Sequence, residues 1–262
     1  MLPSRRRRAF RYDRPALPPP RSPAPAEGEY FDRLVGASGD FNPWSEHAWA
    51  VMARRFAEAI PPLTKVRLLD VGCGTGQSRQ IYAPHCRAYV GADLSLGAVA
   101  LGHARFPGGW LQADALRLPV ADKSVDVVAF SSVLHHVPDR AAALAEAKRA
   151  LRPGGRVFAF DPNLRHPAMA LFRHPRSPLY RAEGVSPHER PLLPATLRRD
   201  FLAAGFTGVR QRCQSDLPYR AVAPRGLDAL LPVYNRLDWL WEKSGMGRLC
   251  GSFVITWAYV AP

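Results

Sequence analysis

The 262-residue chain has few cysteines and no long apolar run. Its four cysteines stand apart, without a C-x-x-C pair, which argues against a disulfide framework and against a structural zinc site. We interpret them as reduced thiols and expect a cytoplasmic protein that needs no metal ion. No stretch approaches the roughly 18 consecutive apolar residues of a membrane span. A hydrophobic fraction of 47% is enough for the core of one large α/β domain with additions.

Lysine is also scarce, and much of the positive charge is arginine near the N-terminus. Residues 1–26 hold seven arginines and one acid, within a formal net charge of +14 for the chain. The same segment is rich in proline, so we predict a disordered tail, with ordered structure from about Glu27. It lacks the apolar region of a secretory signal. An alternative function for the tail is an electrostatic arm for RNA or an anionic membrane.

The rest of the chain, residues 27–262, is predicted to be a single domain. Residues 27–62 form an N-terminal helical cap whose aromatic residues either cover an acceptor pocket or belong to the core. The predicted strands are 66–71, 88–93, 109–112, 125–131, 155–161, 207–213 and 252–260. The predicted helices are 47–60, 77–83, 96–104, 140–150 and 195–204. Such alternation indicates an α/β fold with a doubly wound parallel sheet, interrupted by insertions at 162–194 and 214–251 near the substrate side.

A glycine-rich turn follows the first of these strands. Gly72, Gly74 and Gly76 stand at every second position and lead into a helix. A strand that ends at such a turn and feeds a helix N-terminus is typical of a nucleotide-binding unit. The dinucleotide fingerprint G-x-G-x-x-G would place its third glycine at residue 77, which is Gln77 here. The spacing therefore argues against a nicotinamide or flavin enzyme.

The turn resembles motif I of the class I S-adenosylmethionine-dependent methyltransferases. Four later segments resemble further motifs of that family in the family's order: 90–95, 112–119, 124–137 and 151–158. The resemblance covers about residues 64–161. Within the family, the chain is similar to the type 11 group, which contains the ubiquinone and menaquinone C-methyltransferases, although residues 162 onward match a quinone enzyme poorly.

The resemblance implies a Rossmann-like methyltransferase fold: a seven-stranded, mostly parallel sheet whose last strand is antiparallel. It also implies S-adenosyl-L-methionine as cofactor. Asp70 and the glycine backbone would hold the amino-acid end, Asp93 the ribose, and Asp114 with Ala115 the adenine. The predicted cofactor-binding residues are Asp70, Gly72, Gly74, Gly76, Asp93, Leu94, Asp114, Ala115 and Ser131.

The sequence motifs identify the residues that contact the acceptor less clearly than the residues that bind the cofactor. His135 and His136 follow the fourth strand, at the carboxyl edge where open α/β sheets bind ligands. Each is a candidate catalytic residue that takes a proton from the acceptor, or else contacts the cofactor or caps a helix. Asp161 ends the fifth strand and either orients substrate or caps the turn. His188 and Glu189 are predicted to lie in a solvated loop.

Three functions remain open from the sequence. The first is methyl transfer to a small or lipid-like acceptor by in-line displacement. The second is RNA modification, against which the exit from the fourth strand argues, because nucleobase amino-methyltransferases resemble one another in an Asn/Asp-Pro-Pro-aromatic sequence there. This chain has 131–134 as Ser-Ser-Val-Leu, and we do not expect a nucleic-acid partner. The third is a non-catalytic S-adenosylmethionine-binding subunit.

One further element has three interpretations. Apolar residues recur at helical spacing over 227–241. This helix can cover the site, pack on the sheet, or rest on a bilayer surface through Trp239 and Trp241 as a peripheral membrane contact.

Overall fold

The computed structural model describes residues 24–39, 42–60, 65–180, 182, 184–220 and 228–262. The predicted disorder of residues 1–23 lies outside these ranges, as do Phe41 of the N-terminal cap and Leu227 of the predicted helix. Among the described helices, none has both the length and the apolar composition needed to cross a bilayer.

A seven-stranded sheet organises the molecule. Its strands are β1 Val66–Val71, β2 Cys86–Asp93, β3 Gly109–Gln112, β4 Val125–Ser131, β5 Leu151–Pro162, β6 Thr207–Gln214 and β7 Phe253–Tyr259. Their order is β3-β2-β1-β4-β5-β7-β6, and β7 is antiparallel to both of its neighbours. The predicted doubly wound α/β fold, with a seven-stranded and mostly parallel sheet, is confirmed. The carboxyl ends of β1, β2 and β4 therefore meet at one edge, where ligands of such sheets bind.

Helices cover both faces of this sheet. The described α-helices are α1 Ala24–Ser38, α2 Glu46–Ala59, α3 Arg79–Tyr82, α4 Leu96–Arg105, α5 Arg140–Ala150, α6 Pro167–Arg173, α7 Pro194–Ala203, α8 Leu231–Lys243 and α9 Gly247–Cys250. Every residue of β4 is buried, as expected for a central strand covered on both sides. In α5, Ala143, Leu144, Ala147 and Ala150 are buried at helical spacing, and Asp139 caps the first turn through the Ala142 N–H.

Two hydrophobic cores result, one on each face of the sheet. The core beneath α5 and α7 is mostly aliphatic and includes Phe130, Phe201 and Phe206. The core beneath α2 is aromatic and contains Trp44, Phe56 and Phe160. The aromatic core thus lies on the face of the sheet that α2 covers.

The element boundaries differ from the predicted ones at a few places. Helix α1 begins at Ala24, three residues before the predicted start of ordered structure. The predicted helix 77–83 is reduced to α3 and a 3₁₀ turn at Ala83–His85, because Pro84 cannot continue an α-helical hydrogen-bond ladder. The insertion 162–194 contains α6, with Pro167 at its first turn, where proline is tolerated.

Candidate active site

The glycine turn leaves β1 with left-handed backbone at two positions that require glycine. Gly72 has φ +72°, and a Cβ there would collide with Val133. Gly74 has φ +52°, and no atom occupies the space beside it. Glycine adopts such angles without steric cost and lets a ligand approach the backbone closely. The turn therefore presents bare backbone to the carboxyl edge of the sheet.

Asp93, at the end of β2, holds this turn in place. One carboxylate oxygen accepts the Gly74 N–H at 2.8 Å, and the other accepts the Ser95 N–H at 2.9 Å. Burial raises the pKa of Asp93, while these two N–H donors act in the opposite direction. The carboxylate retains further lone pairs for a ligand.

Asp70 lies behind the turn, and its side chain is fully buried. Its carboxylate accepts hydrogen bonds from the hydroxyls of Ser78 at 2.6 Å, Tyr89 at 2.9 Å and Ser131. Burial raises the pKa of Asp70 to about 6, although the three hydroxyl donors oppose the shift. These contacts join β1, β2, β4 and the start of α3, so the carboxylate supports the turn from within.

A cavity of about 990 Å³ opens above the glycine turn. One end is lined by backbone and carboxylates, including Gly72, Gly74, Asp93 and Asp114. The other end is apolar and collects aromatic side chains from distant segments: Tyr30, Phe31, Trp44, Trp49, Phe160, Tyr219 and Phe253. The carboxylate-lined end suits a polar ligand, and the aromatic end suits an apolar ligand next to it.

His135 and His136 lie between the two ends, in a 3₁₀ turn at Leu134–His136. Asp161 accepts the His135 backbone N–H at 3.1 Å, and its carboxylate lies 2.9 Å from Nδ1 of His135. Nδ1 of His136 lies 2.9 Å from Oε1 of Glu27 on α1 and 2.7 Å from the Ser186 hydroxyl. Each imidazole is therefore oriented by a carboxylate.

The surroundings of His136 favour its neutral form. Burial lowers the pKa of His136, repulsion from His135 adds to this effect, and Glu27 opposes it. The same contacts lower the pKa of Glu27, since hydrogen bonds from His136 and Ser186 outweigh the effect of its burial. When Nδ1–H donates to Glu27, Nε2 of His136 keeps a lone pair that can accept a proton.

The structure brings together nine of the twelve predicted site residues on the wall of the cavity. They are Gly72, Gly74, Asp93, Leu94, Asp114, Ala115, Ser131, His135 and His136. Asp70 and Asp161 are fully buried behind this wall, where they hold other residues of the site. Gly76 lies off the cavity, packed against Trp110 and Phe106. The functions assigned to all twelve residues stay predictions.

Several residues of this site were missed by the sequence analysis. Glu27 and Ser186 contact His136 from positions about 110 and 50 residues away in sequence, and no local pattern distinguishes either one. His188 and Glu189, predicted to lie in a solvated loop, line the cavity instead. The backbone N–H of His188 donates to Glu27, which draws this loop onto the site.

Comparison with known proteins identifies the domain. A family described as a methyltransferase domain matches residues 69–159. A demethylmenaquinone methyltransferase of Renibacterium salmoninarum is 36% identical over 121 residues, covering 46% of this chain and 50% of that protein. A 27-O-demethylrifamycin SV methyltransferase of Amycolatopsis mediterranei is 30% identical over 156 residues, covering 52% and 55%. The chain thus spans about half the length of the curated relatives it matches.

A solved structure shares the whole fold. It is a SAM-dependent methyltransferase from Thermotoga maritima, described as a possible histamine N-methyltransferase, with a TM-score of 0.57 and 17% identity over 88% of this chain and 98% of that one. The residues present here fit S-adenosylmethionine, since the open space at Gly74 admits a ligand and Asp93 and Asp114 offer acceptors for hydroxyl and amino groups. Residues 69–159 therefore match a methyltransferase domain, and the chain is similar in fold to class I S-adenosylmethionine-dependent methyltransferases.

Proposed function

We propose that the protein transfers a methyl group from S-adenosylmethionine to a small, lipid-like acceptor. The observation that carries this proposal is the shape of the cavity, whose carboxylate-lined end continues into an aromatic end. S-adenosylmethionine supplies an activated methyl group on a sulfonium. The cavity volume, about 990 Å³, lies at the upper end of the range for ligand pockets and accommodates two ligands in contact.

The aromatic end selects the acceptor by desolvation. Trp44 and Phe160 are almost wholly buried, and Phe253 packs edge-on against Trp44. A polar acceptor would lose its hydration here without gaining hydrogen bonds, whereas an apolar ring or chain gains contact area. Exclusion of water from this end also holds the acceptor nucleophile close to the methyl donor.

We assign proton removal to His136. Its imidazole lines the cavity, its lowered pKa keeps it neutral near pH 7, and Glu27 orients it through Nδ1. Nε2 would accept the proton of an acceptor hydroxyl while the methyl group passes from the sulfonium to the oxygen or conjugated carbon, which breaks the carbon–sulfur bond and leaves S-adenosylhomocysteine. Asp161 is a positioning residue in this scheme, because it contacts His135 and not the cavity.

The relatives narrow the acceptor class further. Several are named demethylmenaquinone methyltransferase, which supports a quinone-type acceptor for this chain as well. One is named 27-O-demethylrifamycin SV methyltransferase, which supports O-methylation as a second candidate. His136 can act as the base for a quinone-type acceptor and for O-methylation, because both reactions need an ionised oxygen on the acceptor.

The test uses methyl-labelled S-adenosylmethionine, the purified full chain and an extract of host cells. Products are separated into organic-soluble, small aqueous, RNA and protein fractions. We expect label in the organic fraction with the wild type, and a loss of about 10² or more with His136→Gln but not with the exposed His103→Gln. Label in RNA would overturn the proposal in favour of RNA modification, and no label with cofactor binding intact would favour a binding subunit.

A further inference from the structure

Helix α8 is oriented with its polar side chains toward the protein. Asn235, Asp238 and Glu242 recur at helical spacing and accept the backbone N–H groups of Tyr219 at 3.0 Å, Leu217 at 3.2 Å and Ser215 at 2.9 Å. Hydrogen bonds to the extended segment 215–219 therefore hold this face of the helix. Leu231 is also buried on this side, and Tyr234 and Trp241 contact His166. The remaining apolar residues of α8 lie on the opposite face.

That opposite face is apolar and exposed. Val233 and Leu237 are 58% and 59% exposed, and Leu240 is 46% exposed. Leu230, one turn before Val233, is also exposed. These four residues, here called the outer face of α8, repeat at helical spacing and form one continuous stripe. A stripe of this kind on a soluble surface marks a site of contact with a partner or a membrane.

The outer face of α8 is continuous with the mouth of the cavity. Leu230, Val233 and Leu237 line the cavity as well as the surface. On α6, Leu171 and Phe172 are likewise both exposed and cavity-lining. An apolar acceptor could thus pass from this surface into the aromatic end without crossing water.

The charge around the stripe is positive. Arg236 stacks over the Trp239 ring at 4.5 Å, and Lys243 lies 5.9 Å from the same ring. The two acidic residues of α8, Asp238 and Glu242, point inward and accept backbone N–H groups of segment 215–217. The sequence 163–181 around α6 contains arginines and no acid. Arg236, Lys243 and these arginines therefore give the surface around the outer face of α8 an excess of positive charge, with Glu189 as an acid that also lines the cavity.

A second, smaller cavity of about 350 Å³ lies at the C-terminal end of α8, separate from the larger cavity, and it is also basic. It is lined by Arg54, Arg55, Arg212, Lys243 and Arg248 against two acids, Asp216 and Glu242. Burial lowers the pKa of Arg212, and repulsion from Arg55 adds to the effect. Such an excess of cations favours a phosphate-bearing neighbour.

We propose that the outer face of α8 docks on an anionic lipid bilayer. The leucines enter the boundary between headgroups and acyl chains, Trp239 lies at the interface, and Arg236 and Lys243 meet lipid phosphates. The cavity mouth then opens directly onto the bilayer. Delivery of a lipid-like acceptor through this mouth rests on the proposed function, whereas docking itself does not.

Charge favours a bilayer over a second copy of the chain. A two-fold contact through the outer face of α8 would place the same basic surface on both partners. Arg236 and Lys243 would then meet cations, and neither Asp238 nor Glu242 is free to compensate, because each bonds inward. Anionic lipid supplies the missing negative charge.

The test is co-sedimentation of the full chain with vesicles, without cofactor or acceptor. Vesicles are made of phosphatidylcholine alone or of phosphatidylcholine mixed with phosphatidylglycerol. We expect binding to the anionic vesicles, and about tenfold or greater weakening by Leu240→Glu, because a charge replaces a leucine that would enter the boundary. Leu202→Glu on α7 is the matched control, since Leu202 has the same 46% exposure away from this face. Both variants keep the arginine-rich tail, so its contribution to vesicle binding is the same in each and does not affect the comparison.

The outcomes separate docking from the proposed function. Equal binding by wild type and Leu240→Glu, or no binding by either, would overturn the docking proposal. A wild-type dimer that Leu240→Glu dissociates would show instead that a second copy covers the face. Affinity for S-adenosylhomocysteine, measured by calorimetry on each variant, checks folding and is independent of docking. Loss of methyl transfer with vesicle binding intact would affect the proposed function alone.

Discussion

Asp93 is the residue on which the polar end of the cavity depends. Its carboxylate joins the end of β2 to Gly74 and faces the space above the turn. We predict that Asp93→Ala weakens binding of S-adenosylhomocysteine by about 1.5–3 kcal/mol, the scale of hydrogen bonds to a charged group. Isothermal titration calorimetry on the purified variant measures this directly.

Asp200→Ala serves as the control for this substitution. Asp200 pairs with Arg140 at 2.8 Å and does not line the cavity, so its loss should leave the affinity unchanged. Thermal unfolding of both variants shows whether the fold is retained. A folded Asp93→Ala protein with wild-type affinity would contradict the assignment of Asp93 to the cofactor.

Residues of the cofactor end could be predicted because they belong to short motifs that are contiguous in sequence. Gly72 and Gly74 are readable from the sequence, since a strand that ends in left-handed backbone needs glycine at those positions. Glu27 is different: it becomes part of the site only because α1 folds over His136. No periodicity or spacing within 24–38 indicates that contact.

Helix α1 spans the cavity and is fastened by a carboxylate at each of two places. Glu27 binds His136 and the Ser186 hydroxyl, while Asp32 accepts the Ser95 hydroxyl and, at 2.9 Å, the Gly97 N–H at the start of α4. These contacts connect the part of the cavity beside His136 to the start of α4, which follows Asp93. The helix therefore couples the two ends of the cavity.

We predict that Glu27→Gln lowers the pKa of His136 below its already depressed wild-type value. Glu27 stabilises the imidazolium, so removal of its charge favours the neutral ring. The acid limb of the activity profile should shift to lower pH, because the neutral form is the active base. Methyl transfer should also fall, by less than the roughly 10²–10⁴ of losing the base, since the imidazole is less well oriented. NMR titration of labelled histidine rings measures the pKa without an acceptor.

Glu29→Gln on the same helix is the matched variant. Glu29 is exposed and lies 3.9 Å from Arg33, also exposed, so its charge should not affect the imidazole. The coupling through α1 would be refuted by an unchanged His136 titration in Glu27→Gln. An equal shift in both variants would refute it as well, since a general charge effect would then explain the change.

At the level of elements, three strands were predicted to the residue. β1, β3 and β4 begin and end as expected, and for β1 and β4 the reason is an apolar run bounded by turn residues, which leaves little freedom. Helix α6 was not predicted, since its few residues lie among prolines and arginines that resemble a loop. Helix α8 was predicted from its apolar period, but that period mixes exposed residues such as Leu230 and Leu237 with Leu231, which is buried.

The whole molecule combines a predictable sheet with a cavity assembled from remote segments. The carboxylates and glycines come from β1, β2, β3 and the turns that follow them, within one contiguous stretch of sequence. The acceptor end instead collects α1, α2, α6, α8 and β7. Fold and cofactor end could therefore be predicted from sequence, whereas the acceptor end depends on tertiary contacts between segments with no shared motif.

The arginine-rich N-terminus provides a test at this scale. We predict that deletion of residues 1–23 leaves methyl transfer unchanged at moderate salt, because the described cavity is formed without them. The deletion must stop before Ala24, where α1 begins, since Glu27 of that helix holds His136. A chain that begins at Asn42 lacks α1 and should lose most activity.

The measurement is the turnover of the full chain and the two shortened chains on the labelled extract, over a range of salt concentrations. A large loss from the shorter deletion, growing as salt is lowered, would mean that seven arginines attract an anionic acceptor by charge, as an RNA-binding arm does.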